Sequence, residues 1–369
     1  MNQINDINLN NDLNKFVKGI EVLMKSPDFS VGATPSEVIY TEDKMKLIHY
    51  IPVVEKPYPT PVLVTYALVN RYYILDLQPD KSVIRKLLSE GFDLYVIDWG
   101  YPSGSDRYIT LDDYVNGYIH NSVNKIKEIH EINNKSCDKI TLLGVCQGGT
   151  FAVMYSALHP DNVKNLITVV SPVNFDTDKC LLNIWAKNLD VDKIVDYYGI
   201  VPGDLLNAGF LLLDPFRLLI DKYIGLFEKV ECGEDATCTL TNEENIKNFL
   251  RMEKWIFDSP DQAGEAFRQF MKDCYQKNLL IKNEMQLKDV HTNMPKTINL
   301  KNINMPLLNV MAQYDHLVSN DQSIPLNDAV SSTDKELLIF PTGHIGIFVG
   351  SKSQKEVCPK IAEWLKLRS

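Results

Sequence analysis

Short, nearly unbroken apolar runs alternate with longer amphipathic stretches through most of the chain. LIHYIPV at 47–53, VLVTYALV at 62–69, FDLYVIDW at 92–99, ITLLGV at 140–145 and LITVV at 166–170 have the length of strands. Half-exposed strands would alternate apolar and polar positions, so runs of this kind predict strands buried on both faces. Between them, Val83, Ile84, Leu87 and Leu88 make one helical face. Val115, Ile119, Val123 and Ile126 make another at spacings of four, four and three. Strands separated by helices imply a mostly parallel sheet with helices on both faces, joined by right-handed crossovers, which is the α/β class.

The rhythm fades between about 174 and 290, where Trp185, Trp255 and several Phe and Tyr residues sit on stretches that read as helices. It resumes with MPLLNVMAQ at 305–313 and ELLIF at 336–340, and closes on an amphipathic helix through Ile361, Trp364 and Leu365. One α/β core with a helical insertion accounts for this better than two tandem domains. The expected organisation is an Asn-rich lead-in over 1–40, a core over 41–173 and 291–369, and a mainly helical cap over 174–290.

Composition narrows the function classes. The 369 residues carry 38 Lys and Arg against 48 Asp and Glu, a net charge of −10, which disfavours nucleic acid and anionic membrane as general partners. The apolar stretch GFLLLDPFRLLI at 209–220 is broken by Asp214, Pro215 and Arg217 and falls short of the ~20 apolar residues a membrane helix needs. The N-terminus lacks a basic start followed by an apolar run, so no secretory signal is expected. Seven cysteines without a C-x-x-C pair read as reduced thiols of a cytoplasmic protein. Cys232 and Cys238 have no histidine near them, and no metal site is expected there.

KITLLGVCQGGTFAVMYSALHP at 139–160 reads as strand, sharp turn, helix. Gly144 and Gly148 flank Cys146 in G-x-C-x-G, which resembles the nucleophile elbow of α/β-hydrolases with sulfur in place of the serine oxygen. Lifting a nucleophile on so tight a turn strains its backbone, and glycines permit the close approach of strand and helix. The Gln147 amide and the positive end of the following helix would then lie beside the sulfur, where they favour a thiolate and stabilise an oxyanion. The plain alternative is that Cys146 is a small buried apolar side chain.

In that fold an acid and then a histidine follow the nucleophile in the chain. Asp315 comes directly after LLNVMAQY, and His344 follows ELLIF in the loop PTGH, so both are expected on loops at the carboxyl ends of late strands. His316 and His159 are weaker candidates, and a helix-terminal role suffices for His159. The loop after the early strand VLVTYALV is expected to supply the second oxyanion amide, assigned to the backbone around Val69. The segment DWGYPSG at 98–104, with Asp98 and Trp99, reads equally as a pocket wall or as a turn holding a buried Trp.

Longer segments make the resemblance more specific. PVLVTYALVNRYYILDLQPDKSVIRKLL, GFDLYVIDWGYPSGSDRYITLDDYVNGYI, LLGVCQGGTF, RMEKWIFDSPDQAGEAFRQF and FPTGHIGIFVG together resemble the catalytic subunit of the two-subunit, class III polyhydroxyalkanoate synthases over residues 35–369. The resemblance implies that Cys146 is acylated, that His344 is the base, and that Asp315 either holds the imidazole or activates the substrate hydroxyl. It implies transfer of (R)-3-hydroxyacyl groups, short ones such as 3-hydroxybutyryl, from coenzyme A to Cys146 and on to a polyester, with coenzyme A as substrate carrier and no further cofactor. A second, PhaE-like subunit, a homo-oligomeric state and a place at polyester granules in the cytoplasm are expected with it. Two other readings stand beside it: a cysteine thioesterase or polyester hydrolase of the same fold, and a non-catalytic granule-coat protein.

Overall fold

The computed structural model describes residues 30–133, 137–214, 216, 230–232, 238–240, 243–289 and 292–369. Eight strands form one sheet: β1 (Ser36–Glu42), β2 (Met45–Tyr50), β3 (Val62–Thr65), β4 (Leu94–Asp98), β5 (Ile140–Val145), β6 (Val163–Val169), β7 (Leu307–Ala312) and β8 (Lys335–Phe340). Their order across the sheet is β1-β2-β4-β3-β5-β6-β7-β8. The pairings of β2 with β1 and with β4 are antiparallel, and the other five are parallel. Every side chain of β3, β4, β5 and β7 is buried, which explains their continuous apolar sequences.

The helices cover both faces. On one side lie α1 (Val83–Ser89) and the C-terminal helix α9 (Cys358–Lys366), whose Ile361, Trp364 and Leu365 share a core with Val64, Val96 and Val310. Ser82 caps α1 by accepting the Arg85 amide at 2.9 Å, and α1 buries the four apolar residues its spacing singled out. On the other side lie α2 (His120–Ile132), which continues from a π-helical segment over Asp113–Ile119, and α3 (Gln147–Leu158). All residues of α3 are buried, Phe151 and Tyr155 among them, so it is surrounded by the core on every side.

A buried polar cluster ties β2, β4 and α2 together. His49 Nε2 donates to Asp93 Oδ1 at 2.7 Å, while the Tyr95 hydroxyl donates to Oδ2 at 3.3 Å and His130 Nε2 lies 3.2 Å from it. Burial pushes the Asp93 carboxyl up, but its bonds to His130 and His49 outweigh this and hold it well below the usual carboxylate range.

Between β6 and β7 the chain forms α4 (Leu181–Asn188), α5 (Val191–Tyr198), α6 (Gly203–Leu211), α7 (Glu243–Phe257) and α8 (Gly264–Gln269). An antiparallel bridge of Ile200–Val201 with Gln262–Ala263 closes this insertion on itself. Its inner side packs on the core, with Phe270 at 5.9 Å from Phe151 and 5.7 Å from Phe175 between ring centroids. On its outer side Leu181, Ile184, Trp185 and Tyr197 are exposed.

Two sequence expectations need correction. The lead-in assigned to 1–40 is too long, because Ser36–Glu42 is the first strand of the sheet; residues 1–29 lie outside those described. The strand expected over 62–69 ends at Thr65, where the Tyr66 carbonyl accepts the Trp99 indole at 2.8 Å instead of a neighbouring strand. Within the stretch at 209–220, residues 215 and 217–220 lie outside those described, and among the described residues no helix is long and apolar enough to cross a membrane.

Candidate active site

Cys146 sits between β5 and α3 with φ 53° and ψ −126°, a left-handed conformation that is strained for a residue with a side chain. Backbone bonds hold it there. Its amide donates to the Val169 carbonyl at 2.9 Å, and its carbonyl accepts the amides of Gly149 at 2.9 Å and Thr150 at 3.3 Å. The glycines around it are required by contact. A Cβ on Gly144 would lie 2.3 Å from the Gly149 Cα, and one on Gly148 would lie 2.3 Å from the Thr65 carbonyl oxygen. Gly149 belongs with them, since its Cβ would meet the Ser171 hydroxyl at 1.8 Å. The doubled glycine in CQGGT was the visible signal for this third position.

Asp315 and His344 are brought together by an extension of β7 and β8. Beyond the two strands the Gln313 amide donates to Phe340 at 2.8 Å and the Tyr314 amide to Thr342 at 2.9 Å, so the loops stay in register. His344 Nδ1 then donates to Asp315 Oδ2 at 2.6 Å. The other oxygen, Oδ1, accepts the amides of Leu317 at 2.9 Å and Val318 at 2.8 Å. The Asp315 side chain is 1% exposed and that of His344 5%.

The imidazole also reaches the sulfur. Burial works against a charged His344, but the charges of Asp315 and Cys146 and hydrogen bonds to both hold its pKa well above the ordinary value. With Nδ1 committed to Asp315, Nε2 is the nitrogen left for Cys146. Two phenols feel the charge of the same sulfur. The pKa of Tyr66 is raised well above normal by burial and then by Cys146, and that of Tyr275 is raised by burial and then by Cys146, so both stay protonated. Neither tyrosine stood out in the sequence, because an aromatic residue in a core-like run carries no mark of lying near a thiol.

The Gln147 amide opens α3 directly after the sulfur. Its side chain does something the sequence did not suggest: Oε1 accepts the Leu68 amide at 3.0 Å, tying the loop that carries Val69 to the elbow. Val69 is half-buried in that loop, next to Asn70, which has φ 57°. The loop at 98–104 fits both of its readings. Trp99 is 8% exposed, and with Asp98 it lines a small cavity beside Ala67, Leu68 and Arg71.

His159 is the residue that ends α3, and its Nε2 pairs with Asn116 Oδ1 at 2.8 Å, away from the sulfur. His316 is exposed, and its carbonyl accepts the Cys180 thiol at 3.4 Å. The five described cysteines are free thiols; the side chains of Cys232 and Cys238 lie outside the described residues. Among the described residues no group of three or more His, Cys, Asp or Glu is placed to hold a metal ion. The arrangement is a thiol, an imidazole and a carboxylate in series, with the Gln147 amide directly after the thiol and the Val69 loop tied to the Gln147 side chain. It can attack an acyl carbon and pass protons to and from the leaving and entering groups.

Comparisons with known proteins bear on the fold and the family. Residues 61–351 match the alpha/beta hydrolase fold family, and residues 6–87 match the family described as "Poly-beta-hydroxybutyrate polymerase (PhaC) N-terminus". Relatives named "Poly(3-hydroxyalkanoate) polymerase subunit PhaC" include those of Thiocystis violacea, 48% identical over 96% of this chain and 94% of the relative, and Allochromatium vinosum, 47% identical over the same shares. The relative from Synechocystis sp. is 46% identical over 96% of this chain and 90% of its own. Among solved structures, a soluble variant of the Saccharomyces cerevisiae monoglyceride lipase shares the fold with a TM-score of 0.57 at 15% identity, over 93% of this chain and 99% of that one.

Proposed function

The chain belongs to the PhaC family of poly(3-hydroxyalkanoate) polymerase subunits and is an acyltransferase, and on that premise we propose how its residues carry the reaction. Cys146 is the nucleophile. The observation that carries this reading is its strained elbow position, with an imidazole that Asp315 holds from behind close enough to interact with the sulfur.

In the first half-reaction the Cys146 sulfur attacks the carbonyl carbon of a 3-hydroxyacyl coenzyme A thioester, with its proton on His344. The tetrahedral oxyanion is received by the amides of Gln147 and Val69. Its collapse breaks the carbon–sulfur bond to coenzyme A, and the departing thiolate takes the proton from His344. One thioester has replaced another at nearly equal free energy, so the acyl group stays activated. In the second half-reaction a 3-hydroxyl group gives its proton to His344 and attacks the acyl carbon. An oxygen ester forms, the Cys146 sulfur leaves and recovers the proton, and conversion of thioester to ester drives growth.

Both Asp315 oxygens are already occupied and its side chain is buried, which supports an orienting role for it over direct activation of the substrate hydroxyl. The helical insertion over 174–290 serves as a cap that keeps water, the competing nucleophile, from the acyl-enzyme. The substrate is (R)-3-hydroxybutyryl coenzyme A or a similarly short thioester, and no cofactor beyond it enters the scheme. The chain works in the cytoplasm at the surface of polyester granules, as a homo-oligomer with a second, PhaE-like subunit, for which the exposed apolar residues of α4 and α5 offer a surface. Purified protein given 3-hydroxybutyryl coenzyme A should release free coenzyme A and form insoluble polyester, and Cys146→Ala should abolish both. Release of free 3-hydroxybutyrate in step with coenzyme A would make the chain a hydrolase instead.

A further inference from the structure

The loop that carries Val69 is fastened to the end of helix α7, far away in the chain. Asn70 takes a left-handed backbone, and its side-chain Nδ2 donates to two carbonyls in the last turn of α7, those of Trp255 and Ile256, both at 3.1 Å. In return the Trp255 indole donates to the Arg71 carbonyl at 2.7 Å. Just past the helix, Asp258 accepts the hydroxyl of Tyr73 at 2.8 Å on one oxygen and that of Tyr101 at 2.7 Å on the other. Arg71 fixes the remaining side. Its guanidinium stacks over the Tyr101 ring at 4.2 Å and donates to Asp98 and to the Gly100 carbonyl, both at 2.9 Å.

This joint is more specific than packing requires. The helix end would be satisfied by solvent or by any donor, yet here one amide side chain bridges two carbonyls, and only a residue tolerant of positive φ can place it there. The residue that does so follows Val69 directly. Gln147 holds the same loop from its other end through the Leu68 amide, so the Val69 N–H is suspended between the nucleophile elbow and the insertion.

We propose that Asn70, with Arg71, Tyr73 and Tyr101, is a positioning group that sets the Val69 oxyanion amide according to how α7 and Asp258 are seated. The proposal rests on the reading of Cys146 as the acylated nucleophile. Acyl transfer from a thioester develops an oxyanion and needs that amide; alkylation of the same sulfur by iodoacetamide does not. A shift of the amide by about 1 Å is enough to slow the first reaction up to ~100-fold while leaving the second alone.

The test compares Asn70→Gly with wild type in the full chain. Glycine keeps the positive φ and removes only the bridging amide. Single-turnover acylation by 3-hydroxybutyryl coenzyme A should slow between about 10-fold and 100-fold, with KM within about twofold and the iodoacetamide rate of Cys146 unchanged. Acylation at the wild-type rate, or an equal loss in both reactions, overturns the proposal. Trp255→Phe, which keeps an aromatic side chain but removes the indole N–H together with part of the ring volume, supplies a second variant should Asn70→Gly fold poorly, and should slow acylation in the same selective way. The double variant should lose less than the product of the single losses; a full product means that the two contacts act independently and overturns the common joint. The parent reading is tested separately, since wild-type protein alkylated at Cys146 must then make no polymer.

Discussion

His344 and Asp315 share a 2.6 Å hydrogen bond at a point where the aspartate has no oxygen to spare, because its other oxygen holds the amides of Leu317 and Val318. A carboxylate bound in this way fixes the tautomer and direction of the imidazole and stabilises its charged form. Asp315→Asn should therefore slow acylation of Cys146 itself, by roughly 10³-fold, with elongation falling in step. Coenzyme A release in a single turnover measures this. Normal acylation with failed elongation would instead assign Asp315 to the incoming hydroxyl.

Cys146→Ser keeps the elbow and nearly the same volume. An acyl-serine is an oxygen ester, already at the energy of the product, so the second transfer loses its driving force. Polymer formation should fall by ~10³-fold or more, while the urea midpoint moves little. Substantial polymer from the serine variant would mean that activation of the acyl group does not depend on sulfur.

Gly148 touches the backbone of the β3 loop so closely that a methyl group would sit 2.3 Å from Thr65 O and 2.4 Å from Tyr66 O. Gly148→Ala must push α3 off the sheet or displace the oxyanion loop. It should cost about 3 kcal/mol or more of stability and eliminate acylation; a variant with near-normal urea unfolding would contradict the rigidity assigned to the elbow.

The Asp93 carboxyl titrates lower in the folded protein than in the unfolded chain, so it adds stability above the unfolded value of about 4 and loses it as the pH falls through the folded one. The stability gap between wild type and Asp93→Asn should be full above about pH 5 and shrink steadily below about pH 4. Unfolding of both proteins across this range reads it out, and a gap independent of pH would show that Asp93 acts only through shape.

Much of the core was legible because its strands are buried on both faces, as in β4 and β5, and leave continuous apolar runs. β1 was not, since it is an edge strand with mostly exposed side chains and polar neighbours. Cys146, Asp315 and His344 could be read from the elbow and from their order after successive strands. The contacts that aim the site could not. Gln147 meets Leu68 across 79 residues and Asn70 meets Trp255 across 185, and neither pairing leaves any periodicity in the sequence. Only the positive φ at Asn70 marks the spot, and Asn before Arg is an ordinary dipeptide until the backbone is known.

Helix α3 is enclosed along its whole length, so the sulfur at its head has no second station to move to. A shuttling arm, such as a flexible pantetheine carrier provides, is therefore ruled out as a role for Cys146. Each added unit must be brought in, joined and cleared past a stationary point.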